Sequence, residues 1–243
     1  ALNGDGPKDE GGLGQGVYKQ YGKGKDGYNV VSNQFSIHYF FENRNIFQNF
    51  LRNLNENCKM GGYVIGTCYD GDKLFRALKK KQPNESVFVL NKDKVKMWGI
   101  QKKYAHTTFP NDESSLGYKI DVYQESINKT FSEYLVNFKY FTRMLANYGF
   151  EPINDEEAQS MGFPTAIGSF ETLFDTMDDD IKNHKLNAIV VGDALNMSAN
   201  ERKISFLNNY FIYKKIRNPN AQELFLSFTS QTMEQEESSP SLT

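Results

Sequence analysis

Gln34, His38 and Tyr39 stand within six residues of one another in the run NVVSNQFSIHYFFEN (29–43), among large apolar neighbours. The chain has three histidines, and this one lies between Ile37 and Tyr39. A strand that only filled a core would need none of these polar groups. A carboxamide, an imidazole and a phenol held together can bind a polar, aromatic ligand through donors, acceptors and ring faces. Taken alone, each residue also has a plainer use: His38 as a satisfied core histidine, Gln34 as a strand end bonded to backbone, Tyr39 as packing. Other chemistries are poorly supplied. Cys58, Cys68 and the three scattered histidines lack zinc-ligand spacing. Two cysteines do not make a disulfide framework, which fits a reducing compartment.

Those residues need elements to position them. Val30 and Val31 are expected to begin a buried strand. Ile46, Phe47, Phe50, Leu51 and Leu54 then recur at helical spacing, with Asn, Arg and Gln opposite. Gly61-Gly62 is the expected stop for that helix, and YVIGT (63–67) a second buried strand. Asp70 or Asp72 can cap the next helix, DKLFRALKKK. Strand–helix–strand–helix with short joins predicts parallel strands and a right-handed crossover, with ligands at the strands' carboxyl ends. Residues 34–39 and 67–71 lie at two such ends and are expected to face one crevice.

Downstream, SVFVL, KVKMWGI and GYKIDVY read as short strands. A helix is predicted with an apolar face running from Phe131 to Leu145 and a close at Gly149, Glu133 lying near its start, then a strand at FEPI (150–153). Residues 154–200 form an acidic stretch with one or two helices. NYFIYKKI (209–216) is a strong late strand, AQELFLSF (221–228) a weaker one, and 229–243 a disordered tail. Residues 1–28 read as a loop. GGLGQG at 11–16 lacks the preceding buried strand that a phosphate-cradling glycine loop requires.

At 243 residues and a net charge of −2, the chain is no polycation overall. Its charge is nevertheless segregated. Residues 73–103 carry ten lysines and arginines against two acids, and 151–200 carry ten acids against two lysines. The basic segment suits phosphates, or is a solvated surface. No run reaches transmembrane length and no signal peptide opens the chain, so a soluble, intracellular protein with no membrane partner is expected.

QFSIHYFFEN, GGYVIGTCYDGDKL, FSEYLVNF and NYFIYKKI, in that order, resemble the messenger-RNA cap guanine-N7 methyltransferases. The likeness is closest to the carboxyl-terminal methyltransferase domain of capping enzymes from large DNA viruses (poxvirus-like and giant viruses). The resemblance covers roughly residues 28–216. It implies an α/β fold of the class I, Rossmann-like, S-adenosylmethionine-dependent methyltransferase type. It further implies S-adenosyl-L-methionine as methyl donor and capped RNA as substrate. By resemblance Gln34 and Tyr39 are cofactor-binding residues, Tyr39 also nearing the cap, while His38, Glu133 and Tyr210 bind the cap guanine. No catalytic acid or base and no metal is implied. The family's acidic-x-Gly-x-Gly-x-Gly loop follows the fold's first strand, and GGLGQG, with no buried strand before it, is not a substitute for it. The expectation is therefore a fold incomplete at the N-terminus, its first strands absent, inactive alone and joined to upstream domains of a longer capping enzyme. On that expectation residues 28–228 are the methyltransferase portion, with a cap-binding insertion at about 84–205. A stimulatory subunit is a further partner left open. The implied setting is a viral factory or virion, or the nucleus for a cellular enzyme. The rival readings are a non-catalytic cap- or RNA-binding module, a methyltransferase with another substrate, and a nucleotide-binding oxidoreductase.

Overall fold

A computed structural model describes residues 3–4 and 6–228; the tail expected at 229–243 lies outside them. Two helical turns, α1 (Glu10–Leu13) and α2 (Gln15–Tyr18), replace the loop expected at the start. Asp9 caps α1 by accepting from Gly11 and Gly12 N–H, so these glycines serve a local turn.

The site is built between two sheets. β1 (Tyr28–Gln34) leads through α3 (Arg44–Asn57) to β2 (Cys58–Tyr69), and the two strands are parallel as expected. α3 starts where the Asn43 side chain accepts from Ile46 N–H, and buries Phe47, Phe50, Leu51 and Leu54. It stops at Asn57, before the expected Gly61-Gly62. Those glycines instead form a bulge in β2, where Gly61 takes φ 74° and pairing jumps from Tyr28↔Cys58 to Val30↔Tyr63. β1 is less buried than its valines suggested, with Val30 at 50% exposure. Among the described residues it pairs on one edge only.

Asp70 caps α4 (Gly71–Ala77) by accepting from Asp72 and Lys73 N–H. The chain then forms an antiparallel meander: β3 (Ser86–Leu90), β4 (Lys96–Lys102), β5 (Lys119–Gln124) and β6 (Lys129–Tyr134). The apolar stripe expected as one helix over 131–145 is therefore split. Residues to Tyr134 alternate on β6, paired with β5, and Asn137 caps α5 (Phe138–Asn147) by accepting from Tyr140 N–H. Glu133 thus belongs to a strand.

β7 (Phe150–Pro152) precedes α6 (Asp155–Ser160) and β8 (Ile167–Ser169). The acidic stretch continues as α7 (Phe170–Lys182), α8 (Ala188–Val191) and α9 (Ala199–Ser205). Last comes β9 (Asn208–Lys215), antiparallel to β2, β7 and β8, which makes the first sheet mixed. Residues 221–228 are helical and not a strand. Asn220 caps them by accepting from Gln222 and Glu223 N–H, and Leu224 and Phe228 rest on the core.

The main core lies between the first sheet, α3 and α5, where Phe41, Phe47, Phe141, Phe211 and Tyr213 interlock. Both cysteines are buried and free. Gly66 sits at a tight point, because a Cβ there would collide with the Asn33 carbonyl and the Phe211 ring. Gly66→Ala should lower unfolding free energy by about 2 kcal/mol in denaturant titration. An unchanged midpoint would show that β1 and β2 are not held this closely.

Candidate functional site

β1 ends at Gln34, and Phe35 turns the chain in a left-handed conformation, φ 49°. A bulky residue rarely adopts this backbone. Here the Phe35 N–H is fixed on the Thr67 carbonyl at 2.8 Å. A 3₁₀ turn, Ile37–Phe41, follows; it buries Ile37, His38 and Phe41 and leaves Tyr39 half exposed.

Two cavities open beside this turn. The smaller, about 500 Å³, is mostly apolar and is bordered by Val30, Gln34, Ile65, Thr67, Phe170 and Tyr210. Gln34 Oε1 accepts from Thr67 Oγ1 at 2.8 Å, and its Nε2 donates to Ser32 Oγ at 3.1 Å. The larger, about 730 Å³, holds His38 and Tyr39 on one side. The wall opposite comes from Trp98 of β4, Gln124 of β5, Phe131 and Glu133 of β6, and Glu201 and Ile204 of α9. Tyr69 and Asn208, at the adjoining ends of β2 and β9, complete it. Phe35 lines the larger cavity, and its ring meets Phe170 of the smaller one edge-on at 6.1 Å between centroids.

The electrostatic centre of the larger cavity is the pair His38–Glu133, 5% and 6% exposed. Nδ1 and Oε2 lie 3.7 Å apart, within ion-pair range but too far for a hydrogen bond. Burial pushes the Glu133 carboxyl up to about 7 and the His38 imidazole down to about 4. At neutral pH a neutral imidazole therefore faces a carboxyl that holds its proton far more readily than an exposed glutamate. Both His38 nitrogens and Glu133 Oε2 lack hydrogen-bond partners among the described residues. Buried groups left in this state are costly, and a cavity beside them is where a ligand would supply the missing partners. Aromatic faces surround them: the His38 and Tyr39 rings meet at 4.2 Å, and Trp98 Nε1 donates to the Tyr69 hydroxyl at 2.9 Å. Burial, first among its causes, pushes the Tyr69 phenol up to about 12.

Of the residues singled out from sequence, the fold brings His38, Tyr39 and Glu133 into one cavity. Gln34 and Tyr210 border the other, and the Tyr210 hydroxyl donates to the Thr165 carbonyl at 3.0 Å. Tyr69 falls within the 67–71 segment expected at the crevice but was given no role, while Gln124, Asn208 and Trp98, the last read only as part of a short strand, were not singled out. Trp98 is buried, yet it also lines the cavity. The polar pair Asn208-Asn209 opening an apolar strand was the signal available for Asn208.

The sequence matches the mRNA (guanine-N(7))-methyltransferase domain profile over residues 13–216. The chain belongs to that family. Among its relatives is an mRNA-capping enzyme of Acanthamoeba polyphaga mimivirus, 26% identical over 213 residues, covering 81% of this chain and 18% of that protein. An mRNA cap guanine-N(7) methyltransferase of Aspergillus niger is 26% identical over 135 residues, covering 53% of this chain and 20% of that protein. The chain thus spans about a fifth of the length of these relatives. Among solved structures, the CcbJ methyltransferase of Streptomyces caelestis overlaps 80% of this chain and 59% of its own, with 13% identity and a TM-score of 0.41.

The buried carboxyl has a consequence for stability in this family member. A glutamate whose folded value is raised binds protons more readily folded than unfolded. It therefore costs stability as pH rises from its ordinary value of 4.5 through about 7. Glu133→Gln should be more stable than the parent at pH 8, by about 3 kcal/mol, and nearly equal to it below pH 4. An equal difference at both pH values in chemical denaturation would show that Glu133 is not buried unpaired.

Proposed function

We propose that this chain acts in methyl transfer from S-adenosylmethionine to N7 of the 5′ cap guanine of RNA, and that the larger cavity holds the guanine. The observation that carries the reading is the buried, unpartnered Glu133 carboxyl set among aromatic rings in a cavity of about 730 Å³. Guanine presents N1–H and a 2-amino group on one edge, a donor pair that a carboxylate accepts in parallel. Tyr39, Trp98 and Phe131 offer ring faces, the usual means of holding an unpaired base. The cap-binding portion is then drawn largely from residues 84–205.

The residues at the smaller cavity fit one side of an adenosyl group. Gln34 and Thr67 supply a carboxamide and a hydroxyl at two strand ends, with apolar Val30, Ile65 and Phe170 beside them. S-adenosylmethionine, when bound, supplies an electrophilic methyl on a sulfonium. The methyl would leave that sulfur as a neutral thioether as it bonds to N7, which has a lone pair and no proton, so the chain needs no general base. Its contribution is to position the base and stabilise charge. Glu133 does both, because its negative charge offsets the positive charge that methylation leaves on the purine. His38, kept neutral, adds no opposing charge.

The basic segment divides by role. Lys73, Lys102 and Lys103 are engaged with protein oxygens, and Lys96 lies over the rings of Phe88 and Tyr123. Lys79, Lys80, Lys92 and Lys94 remain exposed, and exposed lysines of this kind can meet RNA phosphates.

On the full-length enzyme, Glu133→Ala should weaken binding of a GpppA cap dinucleotide by tenfold or more while S-adenosylmethionine affinity stays nearly constant in calorimetric titration. Equal loss of both would assign Glu133 to folding instead. Cap affinity should also fall as pH drops below about 7, where Glu133 gains a proton. A flat profile between pH 6 and 8 would sink the carboxylate's role.

A further inference from the structure

Asn208 opens the β2·β9 ladder directly opposite Tyr69, and residues so paired project to the same face of a sheet. It is 6% exposed and borders the larger cavity. Its amide orientation is fixed, because Nδ2 donates to the Ser205 carbonyl at 3.0 Å. Turning the amide over would set its oxygen against that carbonyl oxygen. Oδ1 must therefore be the free end, and among the described residues it has no hydrogen-bond partner. A second buried acceptor thus stands unpaired on a residue that borders the cavity holding Glu133. Nothing in the fold offsets its desolvation.

We propose that Asn208 reads the exocyclic 2-amino group of the bound guanine, a role resting on the reading of this cavity as the guanine site. The guanine edge carries three hydrogens, one on N1 and two on the 2-amino nitrogen. A carboxylate has two oxygens. Glu133 can take N1–H and the nearer amino hydrogen, which leaves the farther one, on the N3 side, without a partner. Asn208 Oδ1 accepts that hydrogen. Hypoxanthine has N1–H but no 2-amino group, so the contact separates guanine from its nearest mimic. Sites that hydrogen-bond a substrate group discriminate against analogues lacking it because their own buried atoms are then left unpaired.

The test uses the full chain and three probes: GpppA, its inosine counterpart IpppA, and GpppA carrying one methyl on the guanine N2. The parent should bind GpppA at least about tenfold tighter than IpppA and should reject the N2-methyl probe, whose methyl points at Asn208. Asn208→Ala should weaken GpppA about fivefold, leave IpppA unchanged, and accept the N2-methyl probe better than the parent does. Equal weakening of GpppA and IpppA would mean that Asn208 merely fastens α9 to β9, and would overturn the proposal. So would parent protein that binds the N2-methyl probe as well as GpppA, an outcome independent of how the variant folds. If the parent binds none of the probes, the guanine reading of the cavity fails first, and this role with it.

Discussion

The register of β2 is the constraint on which the site depends. The strand bonds to β1 on one edge and to β9 on the other, and its alternate residues serve different interiors. Val64 and Cys68 enter the main core; Ile65, Thr67 and Tyr69 face the opposite side. A slip of one residue would exchange the two sets. The same register sets Gln34 beside Thr67 and Asn208 beside Tyr69, so a single alignment places strand ends at both cavities. Gly66 lets the neighbouring chains close in around that alignment.

The larger cavity is a local loss set within a strongly held surround. His38, Glu133 and Asn208 keep polar atoms out of water without giving them partners, which works against folding. Packed rings lie close by. Phe41, next but two after His38, sits between Phe47 and Phe141, and the β5·β6 ladder holds Glu133 opposite Ile120. Rigid neighbours of this kind keep unpaired groups from relaxing toward one another, which preserves them for a ligand.

Much of this was legible in the sequence. The β1–α3–β2 unit, the Asp70 cap and the late strand follow from apolar periodicity and capping chemistry, which act over a few residues. Two of the failures share one physical origin: tertiary pairing overrode local pattern. Phe131, Tyr134, Leu135 and Phe138 can be read at helical spacing, but pairing with β5 claims residues up to 134, and the Asn137 cap begins the helix only afterwards. Gly61-Gly62 looked like a helix stop because a bulge in a long strand leaves the same local signature. Within the site, His38 stood out as a polar residue in an apolar run. Trp98 and Asn208 did not, because a buried tryptophan resembles core and a strand-opening asparagine resembles a turn. Their shared cavity arises from strands far apart in the chain.

The left-handed turn at Phe35 also bears on how such a site can change. Gln34 precedes it and faces the smaller cavity; His38 follows it and faces the larger. The walls of the larger cavity come chiefly from the four-stranded sheet and α9, which can accumulate substitutions without touching the other chamber. The five residues from Gln34 to His38 have no such freedom, since they hold both chambers at once. Change in the larger cavity is thereby channelled chiefly into the meander and α9, and the turn at Phe35 is left as the hinge of inheritance that neither chamber can alter alone.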